Sequence, residues 1–218
     1  MVPDIKILSV IRSLCEKRAD KVPPLFNEYH VLKTLLILQQ RSASRELLAR
    51  ELRIGEGSIR TLIGKLNKYG LISTCRRCGC SLTDSGKQII DEFKKIVPKV
   101  VLNIDLRKLR LGYFNAGLLI RGLPIYNKSG TILRIRDLVI RNGGDAALIL
   151  QVTINGVIIP PMGVDDSVYE DLRRIKKALN PDQDDLIIIS FAQTLYAAEK
   201  SLLMTLITFL NDSVKTYK

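Results

Sequence analysis

The sequence predicts an α+β protein in two parts. A helical N-terminal half ends in a short hairpin and one more helix, and a C-terminal half alternates strands with helices. Three observations carry this. Apolar residues recur at helical spacing through residues 27–70, then give way to short runs. Beyond residue 112 the order is βαββαβ plus a final helix, a small α/β domain of ferredoxin-like type. Charge divides the same way: of a net +12, residues 1–100 hold 19 Lys+Arg against 10 Asp+Glu, and residues 101–218 hold 15 against 12. A basic half joined to a nearly balanced half points to an anionic partner for the first half alone.

A first helix is expected over Ile5–Glu16, with Cys15 in its core. Asn27 caps a second, running to about Gln40, with Val31, Leu32, Leu35, Leu36 and Leu38 at helical spacing. His30, in its first turn, serves packing or capping rather than ligation. Ser44 precedes RELLAREL, where Leu48, Ala49 and Leu52 make one apolar face. RIGEGS is a glycine-containing connection, with Ser58 as the next N-cap. The third helix, IRTLIGKLNKYG, turns Ile59, Leu62, Ile63, Leu66 and Tyr69 inward and stops at Gly70. Arg60, Thr61, Gly64, Lys65 and Lys68 share its other side, with three cations and no acid. A mid-helix glycine weakens a helix, so Gly64 needs a reason. It is either a close approach to a phosphate backbone or a crowded crossing in the core. Strands are expected at Leu71–Arg76 and Cys80–Thr83, around a loop at Arg77-Cys78-Gly79. Thr83 then caps DSGKQIIDEFKKI.

Two short helices around a glycine turn, then a hairpin and a helix, make a winged helix-turn-helix. The stretches SRELLARELRIGEGSIRTLIGKLNKYGLI and LTDSGKQII resemble the winged-helix domains of prokaryotic transcriptional regulators, over Leu25–Val97. That resemblance implies a hairpin lying along a duplex beside the third helix. Double-stranded DNA is the expected partner, with Ser58, Arg60, Thr61, Lys65 and Lys68 in the major groove. Arg76 and Arg77 would reach the adjacent backbone or minor groove. The rival is a protein-interaction or nucleic-acid-processing accessory module without a regulatory ligand. An apolar exposed face would favour that reading, and the cations favour DNA.

The hairpin also holds Cys75, Cys78 and Cys80 as candidate redox residues. A closed zinc site needs four ligands, and the fourth would have to come from distant Cys15 or His30. A Cys75–Cys80 bridge would join facing strand positions. Free thiols rank first, the bridge second and metal last, so no metal or other cofactor is expected.

The domains are read as 1–97, a linker at 98–112, and 113–218. In the last, strands are expected at Tyr113–Ile120, Ala146–Ile154, Val157–Ile159 and Leu186–Phe191. Helices are expected from Ser129, over Ser167–Leu179 and over Thr194–Leu210. Asn155-Gly156 should form a type I′ turn. NKSGTILRIRDLVIRNGGDAALILQVTI resembles small amino-acid-binding regulatory domains. That implies a small-molecule effector site between Asn127 and Leu133 and at the glycine turn, with Ser129, Gly130, Arg134, Gly143 and Gly144. Ion pairs to local acids are the plainer role for Arg121, Arg134 and Arg141. The architecture as a whole resembles archaeal winged-helix proteins with an uncharacterised C-terminal α/β domain. Leu195, Ala198, Leu202, Leu203, Leu206, Phe209 and Leu210 give the last helix a broad apolar face, from which a homodimer is expected. No catalytic motif appears, so an enzyme is not expected. No secretion signal or membrane-spanning run is apparent, and the expected location is cytoplasmic.

Overall fold

The computed structural model describes residues 6–16, 25–123, 129–160, 162–167 and 169–215. The α+β layout is present, divided into two compact units, Pro3–Phe93 and Lys94 onward.

The first unit contains α1 (Lys6–Cys15), α2 (Glu28–Gln40), α3 (Arg45–Leu52), α4 (Glu56–Lys68), the hairpin β1 (Ile72–Cys75) and β2 (Gly79–Leu82), and α5 (Asp84–Ile96), whose last turn reaches into the second. The expected order of helices and hairpin is therefore observed. Its core draws Ile11 and Leu14 from α1, Leu32 and Leu35 from α2, Leu48 and Leu52 from α3, Ile59, Leu62 and Leu66 from α4, and Phe93 from α5. Two expected side-chain caps are formed. Ser44 accepts a hydrogen bond from the Leu47 amide at 3.1 Å, and Thr83 accepts one from the Gly86 amide at 3.1 Å. His30 Nδ1 accepts from the Asn27 amide at 3.0 Å, so it caps as expected. Gly86 lets α5 pack tightly, because a Cβ there would stand 2.1 Å from the Leu71 carbonyl oxygen.

In the second unit, β3 (Lys99–Leu102), a 3-10 turn (Arg107–Leu109), β4 (Phe114–Ile120), α6 (Ser129–Arg141), β5 (Ala146–Thr153), β6 (Gly156–Ile159), β7 (Val164–Asp165), α7 (Glu170–Leu179), β8 (Leu186–Ala192) and α8 (Leu195–Lys215) follow in turn. The sheet is antiparallel throughout, in the order β3-β4-β8-β5-β6-β7. α7 packs on one face, and α6 and α8 on the other.

Three expectations are corrected here. The βαββαβ succession is present with two short strands added, β3 before it and β7 after β6, and the strand order is not ferredoxin-like: the last strand of the succession, β8, separates β4 from β5, and the hairpin partner β6 lies outside β5. The reason is burial. Every residue of β8 is buried, so it needs a long neighbour on each side, whereas β6 has four residues, two of them half-exposed. Burying the side chains of Ile187, Ile188 and Ile189 stabilises this centre by about 1.5–3 kcal/mol each.

Second, residues 98–112 are not a free linker. They include edge strand β3, and Ile104 and Leu106 are buried. The buried side chain of Asn115 accepts from the Ile104 amide at 2.9 Å and donates to its carbonyl at 2.8 Å, continuing the β3–β4 pairing past the strand's end. Third, the β5–β6 loop is Ile154-Asn155, flanked by the pair Thr153 and Gly156. Gly156 opens β6 because the Asp166 carboxylate stands where its Cβ would be, and its φ is +122°.

An exposed charge network joins the 3-10 turn to α7. Asp105 pairs with Arg107 at 2.8 Å and with Arg174 at 2.7 Å. Glu170 pairs with Lys108 and, at 2.7 Å, with Arg174. Lys108 first and Arg174 second hold the Glu170 carboxyl below its ordinary 4.5, at about 2. A depressed carboxyl contributes stability that is present above pH 4.5 and lost as the pH falls toward about 2. Glu170→Gln should therefore flatten the fall of the melting temperature through that window. Paired thermal melts of wild type and variant check it, and the difference should be small because the pairs are exposed.

Among the described residues no helix is long and apolar enough to cross a membrane.

Candidate nucleic-acid interface

α4 starts one turn earlier than expected. Gly55 occupies the N-cap and Glu56 begins the helix, which leaves Ser58 half-buried in the first turn rather than capping it. Ile59, Leu62, Ile63 and Leu66 face the core. The opposite stripe, exposed along its length, is Gly57, Arg60, Thr61, Gly64, Asn67 and Lys68. These positions repeat at three, four and seven, so they form one face. Apart from neighbouring residues and the helix's own backbone, neither Gly57 nor Gly64 has an atom of the described residues within 4 Å of where a Cβ would stand. The crowded-crossing explanation of Gly64 therefore does not hold among the described residues.

Side chains along the stripe differ in commitment. Arg60 lies 3.5 Å from Glu56 one turn back, an exposed pair of little energetic weight, and Glu56 gives the face an acid at its start. Thr61 donates to the Gly57 carbonyl at 3.0 Å. Lys68 has no ion-pair partner among the described residues. Lys65 departs from the expected set. Its ammonium donates to the Leu14 carbonyl of α1 at 2.6 Å and sits 5.3 Å from the centre of the Phe26 ring. That orphan carbonyl at the end of α1 needs a donor, and Lys65 at the border of the stripe supplies it. Tyr69, expected inside, is 47% exposed beside Lys68.

The hairpin stands next in the chain. β1 pairs with β2 from Ile72↔Leu82 to Cys75↔Gly79, so the turn holds three residues, Arg76, Arg77 and Cys78. Gly79 has φ +77°, and a Cβ on it would lie 2.6 Å from the Ala43 carbonyl oxygen. The close approach is real, because Ala43 bridges to Cys80 with two backbone hydrogen bonds, 3.0 and 2.8 Å. Arg76 and Arg77 are exposed and carry no ion-pair partner among the described residues. Asn67 of α4 donates to Thr74 of β1 at 3.5 Å, linking stripe and hairpin. Sequence pattern alone does not single out Gly57, Asn67 and Thr74; the seven-residue spacing of Gly57 and Gly64 is the available sign of the first.

The cysteine pairing also differs from expectation. Cys75 and Cys78 are not free thiols, the first-ranked expectation, but are bonded to each other, with Cα atoms 5.2 Å apart, and Cys75 is not bonded to Cys80. The three-residue turn sets Gly79 opposite Cys75 and Thr74 opposite Cys80, whose thiol is buried. Burial raises the Cys80 pKa, and pushes that of Cys15 up to about 12. Among the described residues no group of three or more Cys, His, Asp or Glu is placed to hold a metal.

In the second unit the candidate effector residues do not converge. Ser129 and Gly130 open α6, whereas Gly143 and Gly144 follow its end, about 20 Å away for 13 residues. Arg134 is ion-paired with Asp212 of α8, and Arg121 with Asp182 and Asp185. Gly144 is packed, with Val139 Cγ1 at 2.6 Å and Ser190 Oγ at 2.9 Å from a Cβ position. Asn127 and the side chain of Ser129 lie outside the described residues. The α8 face behind the dimer expectation is likewise taken up. Ala198, Leu202, Leu203, Leu206, Phe209 and Leu210 are buried within one chain, and Leu195 is half-buried.

Comparison with known proteins follows the same two-part division. Residues 29–88 match the PH0730-like N-terminal domain. Residues 111–209 match a domain of unknown function, DUF4443. The fold is similar to that of the hypothetical protein PH0730 from Pyrococcus horikoshii OT3, with a TM-score of 0.69 and 26% sequence identity. That similarity covers 86% of this chain and 94% of the other. The PH0730-like match spans α2 to the start of α5, and so takes in the glycine stripe and the arginine turn. No curated protein matches the chain.

Proposed function

We propose that the first unit is a winged helix-turn-helix that binds double-stranded DNA, and that the chain is a cytoplasmic transcriptional regulator rather than an enzyme. The observation that carries this is the exposed side of α4. Two glycines there leave room for a Cβ among the described residues, Arg60 and Lys68 lie on the same stripe, and the neighbouring turn has two arginines without an ion-pair partner among the described residues. Glycine in a helix is a standing cost of about 1 kcal/mol relative to alanine. Gly64 carries that cost in mid-helix, and a backbone of phosphates and sugars that must come close to the bare face would offset it. In this reading Arg60, Thr61 and Asn67 face base edges, Lys68 faces phosphate, and Arg76 and Arg77 bind phosphate or enter the minor groove. Ser58 and Lys65 take no part.

The test is selection of bound duplexes from a random-sequence pool by the full chain. Enrichment of a defined sequence supports the regulator. Two inverted half-sites about one helical turn apart would show that it acts as a homodimer. Retention of duplexes without enrichment indicates a non-specific accessory role. No retention at low salt leaves the protein-interaction reading in its place.

A further inference from the structure

The disulfide Cys75–Cys78 encloses two residues only, and they are Arg76 and Arg77. A ring this short closes so small a loop that it contributes little to holding the unfolded chain together. The hairpin does not need it either, since the β1–β2 ladder and the Ala43–Cys80 bridge already close the base. What the ring does restrict is the backbone that presents the two arginines. All four residues from Cys75 to Cys78 are exposed, so a reductant reaches the bond without unfolding anything. The remaining thiols stay apart from it. Cys80 is 2% exposed and Cys15 is half-buried with its thiol pushed up to about 12, so neither supplies the thiolate that exchange requires.

We propose that the Cys75–Cys78 disulfide is a redox switch on DNA binding, with the oxidised form the tight binder. The inference rests on the DNA-binding reading above. A dithiol is the reductant. One of its thiolates attacks a sulfur of the pair, forming a mixed disulfide and releasing the other cysteine as a thiolate that takes up a proton. Its second thiol then displaces the first cysteine and leaves the reductant as a disulfide. Two electrons and two protons pass to Cys75 and Cys78. In the oxidised ring the backbone of Arg76 and Arg77 is already ordered. In the dithiol form that ordering falls on the binding step and weakens it about tenfold.

The experiment is an anisotropy titration of a labelled random-sequence duplex at low salt with the full chain. Wild type is tested after oxidised dithiothreitol and after excess dithiothreitol, alongside the double variant Cys75→Ser/Cys78→Ser. The expected result is about tenfold tighter binding by oxidised wild type, with the variant matching reduced wild type and indifferent to treatment. Alkylation and mass analysis report the state of each cysteine. Equal affinity in both wild-type states, or tighter binding when reduced, overturns the switch and leaves the DNA reading standing. Alkylation of both Cys75 and Cys78 after the oxidised treatment overturns it too. Absence of duplex binding in either state overturns the DNA reading and the switch with it.

Discussion

Replacing Arg76 and Arg77 together with alanine is expected to flatten the salt dependence of duplex binding by about 1.8 in log–log slope, at about 0.9 for each phosphate no longer neutralised. The weakening should be nearly the same for every sequence, because a guanidinium on a phosphate oxygen reads no base. Arg60→Ala should behave differently. An arginine on a guanine edge contributes roughly 1–3 kcal/mol of discrimination, so its removal should change which duplex is preferred. The fold should survive both changes, since all three arginines are exposed and, among the described residues, only Arg60 has an ion-pair partner, the also exposed Glu56. Salt titrations of wild type and the two variants on selected and random duplexes provide the measurement. Three equal slopes would assign the basic turn to some other partner. A sequence-dependent loss in the double variant would place those arginines on bases instead.

Local pattern makes most of the architecture readable from the sequence. The period of 3.6 places α2 to α5 and α6 to α8, and the β-branched run Leu186–Phe191, interrupted only by Ser190, marks a strand. What escapes are relations between elements. Strand adjacency does not follow from element order, so the central place of β8 is visible only in three dimensions. Lys65 has the same spacing as its neighbours on α4, yet a long cation at the edge of a stripe can turn toward a carbonyl on another helix, and Leu14 draws it away. Loop length is the third blind spot. A turn of three residues instead of four shifts every cross-strand partner by one, which replaces Cys80 with Gly79 opposite Cys75. Ser58 is a reasonable cap by residue type, but Gly55 takes the position and the helix absorbs Glu56 and Gly57.

Gly64 separates a binding surface from a merely tolerated glycine, because its substitution should move stability and binding in opposite directions. The position is mid-helix and exposed, and nothing within 4 Å blocks a Cβ. Gly64→Ala should therefore stabilise the first unit by about 1 kcal/mol, seen as a higher urea midpoint with an unchanged slope. Gly64→Leu should also be at least as stable as wild type, since leucine is nearly as good a helix former. On the outer face, however, leucine projects over the floor between Arg60 and Lys68. A duplex that must bring its backbone down to that floor is held off, and the surrounding hydrogen bonds and ion pairs to it lengthen together. Binding by Gly64→Leu should fall at least tenfold, about 1.4 kcal/mol, with Gly64→Ala intermediate. A packing role for the glycine would instead lower the urea midpoint in both variants. Unchanged duplex affinity in Gly64→Leu would mean that α4 does not meet DNA through this stripe, whatever the arginine turn does.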